Sequence, residues 1–97
     1  MKEDKQLTKQ LDILSKSLLV LTSEKDIKSL LLDLCTPAEI DAMAGRLNVV
    51  NLLKDNIPYR KIHDLTGVSL ATITRVARAL KYGQGGYNLV YDNLQSS

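Results

Sequence analysis

Residues 59–81, YRKIHDLTGVSLATITRVARALK, have the pattern of two short helices joined by a tight turn. The pattern predicts a first helix that begins at Tyr59 and ends at residue 65 or 66, and a second over residues 70 to about 81. Gly67 suits a left-handed turn residue, because glycine has no Cβ to clash in that conformation. Ser69 precedes the second helix, where its hydroxyl can cap free amides. The segment therefore has the form of a helix-turn-helix.

The two faces of this segment differ in chemistry. Apolar residues are predicted to pack the two helices together and against a core: Ile62, Leu65, Val68, Ile73 and Val76. Small, hydroxylated or cationic residues are left facing outward on the second helix: Ala71, Thr72, Thr74, Arg75 and Arg78. Small side chains can approach a thymine methyl in the major groove of DNA, and arginine can donate two hydrogen bonds to guanine. Arg60 and Lys61 are positioned to touch the backbone or an adjacent base, and His63 follows one turn further along.

Positive charge is concentrated in this part of the chain. The formal net charge is only +2, and residues 1–35 carry six lysines against six acidic residues. Residues 57–81 carry five lysines and arginines against Asp64 alone, a local excess of four positive charges. Such a regional excess is typical of a module that binds double-stranded DNA, with an affinity that falls steeply with salt. A basic helical face can also be merely solvated, so the charge alone leaves both interpretations open.

Four more helices are predicted around this segment, which gives an all-α chain of six helices. Leucines spaced by four and three form one stripe on a helix over residues 5 to about 21: Leu7, Leu11, Leu14, Leu18 and Leu21. The stripe fits either a core-facing helix or a seam against a partner subunit. Ser23 can cap the next helix, and Thr36-Pro37-Ala38-Glu39 begins a long one that Asp55-Asn56-Ile57-Pro58 ends. A short amphipathic helix near residues 87–94 completes the set.

Composition argues against several other classes of protein. One cysteine, Cys35, and one histidine give no internal disulfide and no Cys/His zinc site. The sequence has no nucleophile–base set and no phosphate-binding glycine loop, so we expect no catalytic residue, no cofactor and no enzyme. No long apolar run follows the charged amino terminus, so we expect a soluble, cytoplasmic protein without a membrane partner. Because 97 residues bury only a small core, we also expect an oligomer.

Two motifs resemble the tryptophan repressor family, and most of all its YerC/YecD-type relatives. They are CTPAEIDAMAGRL at residues 35–47 and GVSLATITRVARALK at residues 67–81, and the likeness covers about residues 30–82. The resemblance implies a single domain over residues 1–97 that forms an intertwined homodimer through helices at about residues 5–55 and 86–95. Its helix-turn-helix, at about residues 59–81, would then occur twice. Such a dimer fits a pseudo-palindromic operator with half-sites roughly 34 Å apart.

The resemblance also implies which positions meet DNA. In the repressor, the matching positions lie at the DNA surface: Arg60, His63, Leu70, Ala71, Thr72, Thr74 and Arg75. Arg60 keeps the family's arginine, whereas His63 replaces a lysine. The base preference of this chain can therefore differ from that of the repressor.

A candidate effector pocket follows from the same resemblance. Positions matching Thr36, Arg46 and Arg75 surround the repressor's co-repressor, while Val76 and Ala79 stand where the repressor has glycine and serine. Valine fills space that an indole ring needs. Alanine removes a polar partner from an ammonium group, which costs about 1–3 kcal/mol if that group is buried unpaired. The sequence therefore argues against tryptophan and leaves any effector unknown. Arg46 and Arg75 fit either contacts to the DNA backbone or a clamp on another anion.

Together these features predict a sequence-specific, homodimeric regulator of transcription. The alternative is a helical dimeric protein-interaction module, or a nucleic-acid binder without sequence preference, which the low net charge keeps open.

Overall fold

The computed structural model describes residues 4–96, which form six α-helices and, within that range, no strand. In chain order they are α1 (Lys5–Leu19), α2 (Glu24–Leu34), α3 (Pro37–Lys54), α4 (Tyr59–Thr66), α5 (Leu70–Tyr82) and α6 (Gly86–Ser96). The predicted all-α class with six helices is confirmed. The chain divides into two compact units, of which the first ends at Pro37 and the second begins at Ala38.

Side-chain caps begin both helices of the first unit. The Asp4 carboxylate accepts a hydrogen bond from the Leu7 N–H at 3.0 Å and so caps α1. The Ser23 hydroxyl accepts one from the Asp26 N–H at 3.1 Å, which confirms the predicted serine cap of α2. Each cap satisfies an amide that has no partner within its own helix. α1 ends at Leu19, two residues before the predicted end.

The leucine stripe of α1 is open to solvent. Its members Leu7, Leu11, Leu14 and Leu18 are 54%, 55%, 45% and 43% exposed. In α2, Leu32 and Leu34 are exposed as well. Neither helix contains a fully buried residue. Apolar surface of this extent is usually covered by a partner.

The second unit packs around a small aliphatic core contributed by α3, α4 and α5. Its fully buried members are Val49, Val50, Ile62, Ile73 and Val76. Partly buried side chains surround them, including two tyrosines from α6: Leu52, Leu53, Ile57, Val68, Leu80, Tyr87 and Tyr91. α5 packs against both α4 and α6. The core thus holds the helix-turn-helix and fixes the direction in which α5 faces.

Leu65 corrects the predicted core. The pattern predicts that it packs inward, but 60% of its surface is exposed. α4 has only two turns and buries Ile62, while Leu65 lies about 60° round the helix from Ile62. There it lines a surface cleft instead. The other predicted packing residues are buried, except that Val68 is only partly buried.

α3 ends in a left-handed turn at Asn56, whose φ is 60°. The Asn56 N–H donates to the Leu53 carbonyl at 3.0 Å, and the Ile57 N–H donates to the Leu52 carbonyl at 3.1 Å. This pair of hydrogen bonds is the Schellman pattern, in which the last carbonyls of a helix gain partners. Pro58 follows and cannot continue the helix. The predicted stop at residues 55–58 thus sets the path of the chain into α4.

Asn88 of α6 bonds to two other helices. Its Oδ1 accepts a hydrogen bond from Lys54 Nζ of α3 at 2.6 Å, and its Nδ2 donates to the Leu80 carbonyl of α5 at 3.3 Å. The Lys54 ammonium also lies 5.2 Å from the centre of the Tyr91 ring, within range of a cation–π interaction. These contacts attach α6 to both α3 and α5.

Asn88→Ala is expected to lower the free energy of unfolding by about 1–2 kcal/mol, because it removes two hydrogen bonds between helices. Urea denaturation followed by circular dichroism measures the change. Asn93→Ala is the matched control on the same helix, since Asn93 Nδ2 donates to the Leu89 carbonyl within α6. Equal losses from the two variants would contradict the bridging role of Asn88.

Candidate nucleic-acid interface

Hydrogen bonds fix the turn between α4 and α5. Gly67 closes α4 in the left-handed conformation, with φ 77°, and its N–H donates to the His63 carbonyl at 2.8 Å. The Thr66 hydroxyl donates to the Ile62 carbonyl at 2.7 Å and accepts from the Val68 N–H at 3.1 Å. The predicted glycine turn is confirmed. Because both ends of the turn are bonded, the angle between the two helices is well defined.

Ser69 caps α5, as the sequence predicts. Its hydroxyl accepts a hydrogen bond from the Thr72 N–H at 3.1 Å and donates its own proton to the Thr72 hydroxyl at 3.0 Å. The hydroxyl proton of Thr72 remains available to a further acceptor. The Thr74 hydroxyl donates instead to the Leu70 carbonyl at 2.9 Å, so it offers its lone pairs and its methyl group outward. The two threonines therefore present different chemistry on neighbouring turns.

The predicted division of α5 into two faces is observed. Ile73 and Val76 are fully buried, and Thr72 is half-buried. The remaining predicted DNA-facing residues of α5 are exposed: Ala71, Thr74, Arg75 and Arg78. On α4, Arg60 is exposed and His63 is half-buried. These side chains are available on the surface of the helix-turn-helix, while their contacts with DNA stay a prediction.

The basic residues of this surface have no acidic partners in the part of the chain that the structure describes. Five lie on α4 and α5, all of them exposed: Arg60, Lys61, Arg75, Arg78 and Lys81. Within residues 4–96 none of the five forms an ion pair with another side chain. Asp64 is the only acidic residue on these two helices. The surface therefore carries uncompensated positive charge, as contacts to phosphates require.

A cleft of about 610 Å³ is lined by α3 on one side and by the turn and the start of α5 on the other. Gly45 of α3 lies so close to the turn that a Cβ there would be 3.4 Å from Val68 Cγ2. Asp41 and Asn48 line the cleft on the α3 side, and Thr72 lines it on the other. The sequence pattern did not indicate this cleft, because it depends on how α3 approaches the turn.

Four of the five predicted effector-site residues surround one pocket of about 480 Å³. Arg46 reaches it from α3, and Arg75, Val76 and Ala79 reach it from α5. Thr36 is exposed in the first unit, so its part in this pocket stays a prediction. Tyr87 of α6 also lines the pocket. The sequence did not predict that Tyr87 belongs to the pocket. The only indication was the position of this aromatic residue directly after Gly85 and Gly86.

The chemistry of this pocket suits an anion better than an amino acid. Two guanidinium groups and a phenol offer hydrogen-bond donors, while Ala79 offers no polar group. Val76 is only 1% exposed because it belongs to the core. Val76 also lines the pocket, and its exclusion of an indole ring stays a prediction. Arg75 belongs both to this pocket and to the exposed face of α5.

Other kinds of site were also sought within residues 4–96. In that range no group of three His, Cys, Asp or Glu side chains is placed to hold a metal ion. No helix in that range is long and apolar enough to cross a lipid bilayer.

Comparison with known proteins identifies relatives over nearly the whole chain. The family model of the Trp repressor protein matches residues 9–95. YerC, an uncharacterized protein of Bacillus subtilis, is 39% identical over 97 residues, which are 100% of this chain and 93% of YerC. A Trp operon repressor homolog of Vibrio vulnificus is 42% identical over 59 residues, 60% of this chain and 58% of that protein. The crystal structure of a TrpR-like protein from Eubacterium eligens matches with a TM-score of 0.85 and 33% identity, and the match covers 96% of each chain.

Proposed function

This chain belongs to the Trp repressor family, and from that premise we propose that it is a sequence-specific regulator of transcription that binds a pseudo-palindromic operator as a homodimer. Members of the family are DNA-binding regulators and not enzymes, which confirms the prediction of a non-enzyme. A repressor-like regulator acts on DNA in the cytoplasm, where we place this protein. The operator and the dimer are the parts of the proposal that need experiment.

One observation carries the DNA-binding proposal: the outer face of α5 is basic, exposed and rigidly held. Arg75 and Arg78 project from a helix whose opposite side, at Ile73 and Val76, is fully buried. Ser69 caps this helix, and Gly67 and Thr66 fix the turn before it. A helix that binds in a DNA groove needs an exposed basic face and a fixed orientation, because phosphate contacts set its register and base contacts depend on that register.

The exposed stripe of α1 supports the dimer. Four leucines on one face are close to half exposed in the single chain, although covering the exposed half of each could contribute about 0.8–1.5 kcal/mol. On α6, three further apolar side chains are exposed to solvent: Leu89, Val90 and Leu94. A second copy of the chain would cover these faces. It would also supply the second recognition helix that a palindromic site requires.

Selection from random DNA tests the whole proposal. The full-length protein is incubated at low salt with a pool of random duplexes, and bound sequences are enriched and sequenced. We expect a pseudo-palindrome whose half-sites are about one helical turn apart. Enrichment without a motif would favour the non-specific binder. A partner captured in pull-down that persists at high salt, together with no DNA binding, would favour the protein-interaction module.

L-Tryptophan is expected to leave the thermal midpoint of the protein unchanged, because Val76 restricts the pocket and Ala79 provides no polar partner. Thermal-shift measurement with tryptophan, other amino acids and small organic anions checks this. Ala79→Ser is the informative variant, since it restores a hydroxyl in the pocket without altering the core. Stabilisation of the wild-type protein by tryptophan would contradict our interpretation of Val76 and Ala79.

A further inference from the structure

His63 is the only histidine in the chain, and one of its ring nitrogens is held in place. Nδ1 lies 2.8 Å from the Val68 carbonyl oxygen. A carbonyl oxygen only accepts hydrogen bonds, so Nδ1 must carry the proton in this contact. The bond joins α4 to the residue before the Ser69 cap. His63 therefore braces the turn that positions α5.

The other ring nitrogen, Nε2, is left facing solvent. It has no hydrogen-bond partner in residues 4–96. No buried side-chain nitrogen or oxygen in those residues lacks a partner, so the unpaired Nε2 cannot be buried. When the proton of the neutral ring is on Nδ1, Nε2 has a lone pair and no proton. The lone pair of Nε2 and a phosphate oxygen then repel each other. While Nδ1 keeps its hydrogen bond to Val68, only the imidazolium, with protons on both nitrogens, can donate to a phosphate through Nε2.

We infer that His63 is a proton-dependent phosphate contact. Its Nδ1 donates to the Val68 carbonyl and stabilises the turn at all pH values. Its Nε2 donates to a phosphate of the DNA backbone only when the ring is protonated. This inference rests on the proposed DNA-binding function. It predicts that binding takes up protons, so that affinity for DNA rises as the pH falls. The contact is to phosphate, so it holds for any duplex sequence.

The charged side chains around His63 are of other types than histidine. Charged side chains of α4 and of α5, which packs against it, are Arg60, Lys61, Asp64, Arg75, Arg78 and Lys81. Asp41 of α3 lies across the cleft from the turn. Side chains of these types ordinarily keep one charge state between about pH 5.5 and 7.5, whereas histidine changes charge there. The predominantly positive surroundings also draw phosphates to this surface.

The experiment measures the affinity of the full-length protein for a labelled random-sequence duplex of about three helical turns, at fixed low salt. Between pH 7.5 and 5.5 we expect the affinity to rise about three- to fivefold for each bound subunit, the size of an exposed ionic contact. His63→Asn keeps a donor near the position of Nδ1 but has no Nε2. It should keep the thermal midpoint of the wild type and lose the pH dependence. Lys61→Ala, the control, should keep the pH dependence.

His63→Gln separates the two roles. Its amide reaches the position of Nε2 but leaves the Val68 carbonyl without its donor, and it cannot change charge. We expect no pH dependence and a thermal midpoint lowered by about 4–8 °C, as for the loss of one hydrogen bond. Nitrogen NMR of the single histidine in the free protein at high pH should show the tautomer protonated at Nδ1.

Different experimental results would contradict the role of His63 and the proposed DNA-binding function. Wild-type binding that does not change with pH, or pH dependence that survives in His63→Asn, would overturn the inference and leave DNA binding intact. An Nε2-protonated tautomer would also overturn it, without any DNA in the experiment. No binding to any duplex at either pH would overturn the proposed function, and the phosphate contact with it.

Discussion

Glutamate at positions 11 and 14 is expected to convert the protein from a dimer into a monomer. Leu11 and Leu14 lie at the centre of the leucine stripe of α1 and are 55% and 45% exposed in the single chain. Two leucines from each subunit would be lost, and because each is already about half covered, this removes about 3–6 kcal/mol of apolar burial from the dimer. Buried charges would weaken association further. Since 1.4 kcal/mol corresponds to a factor of ten, the dimer should weaken by at least about a hundredfold.

Analytical ultracentrifugation over a range of concentrations measures this change, and circular dichroism reports whether the chain stays helical. Lys9→Gln with Lys16→Gln is the matched control, because it lowers the net charge by the same two units on the opposite face of α1. Leu14→Ala alone should give a dimer that dissociates on dilution. Its intermediate behaviour guards against a glutamate variant that simply unfolds. A glutamate variant that stays folded and dimeric would place the interface elsewhere.

Arg75→Ala is expected to weaken binding to the selected operator by at least about thirtyfold, because a lost base or phosphate contact costs about 1–3 kcal/mol in each of two half-sites. Arg75 is exposed on the outer face of α5 and has no ion-pair partner within residues 4–96. Its guanidinium is therefore free to bind DNA. Lys9→Ala removes the same charge from α1 and should change the affinity little.

The pattern of the loss distinguishes two roles for Arg75. If it contacts a base, the variant should lose more affinity for the operator than for random DNA, and the preference for that base should relax. If it contacts phosphate, affinity should fall for all sequences, and the slope of log affinity against log salt should decrease by about two, one for each subunit. Arg46→Ala tests the anion clamp, since Arg46 and Arg75 line the same pocket. Should Arg75→Ala leave operator binding unchanged, α5 would not be the recognition helix.

The helices of this protein follow closely from its sequence. Ser23, Gly67 and Ser69 lie where the caps and the turn were predicted, because capping depends on hydrogen bonds between residues two to four apart. Pro37 begins α3, as expected of proline at a first helical position. Local chemistry of this kind can be read from neighbouring residues alone.

The candidate site was predictable only in part. The outward residues of α5 were identified correctly as a surface, since helical periodicity separates Arg75 and Arg78 from buried Ile73 and Val76. Leu65 was misplaced, because periodicity shows that a helix has a buried side but not how far round it the neighbours reach.

What the sequence determined by itself is the order and the limits of six helices, the turn at Gly67 and the basic character of α5. Only the tertiary structure placed Tyr87 beside Arg46, joined Asn88 to Lys54 across 34 positions of the chain, and bonded His63 to the Val68 carbonyl. The physical reason is range. Caps, turns and helical faces depend on residues a few positions apart, whereas pockets and bridges between helices depend on which side chains the packing of distant segments brings together.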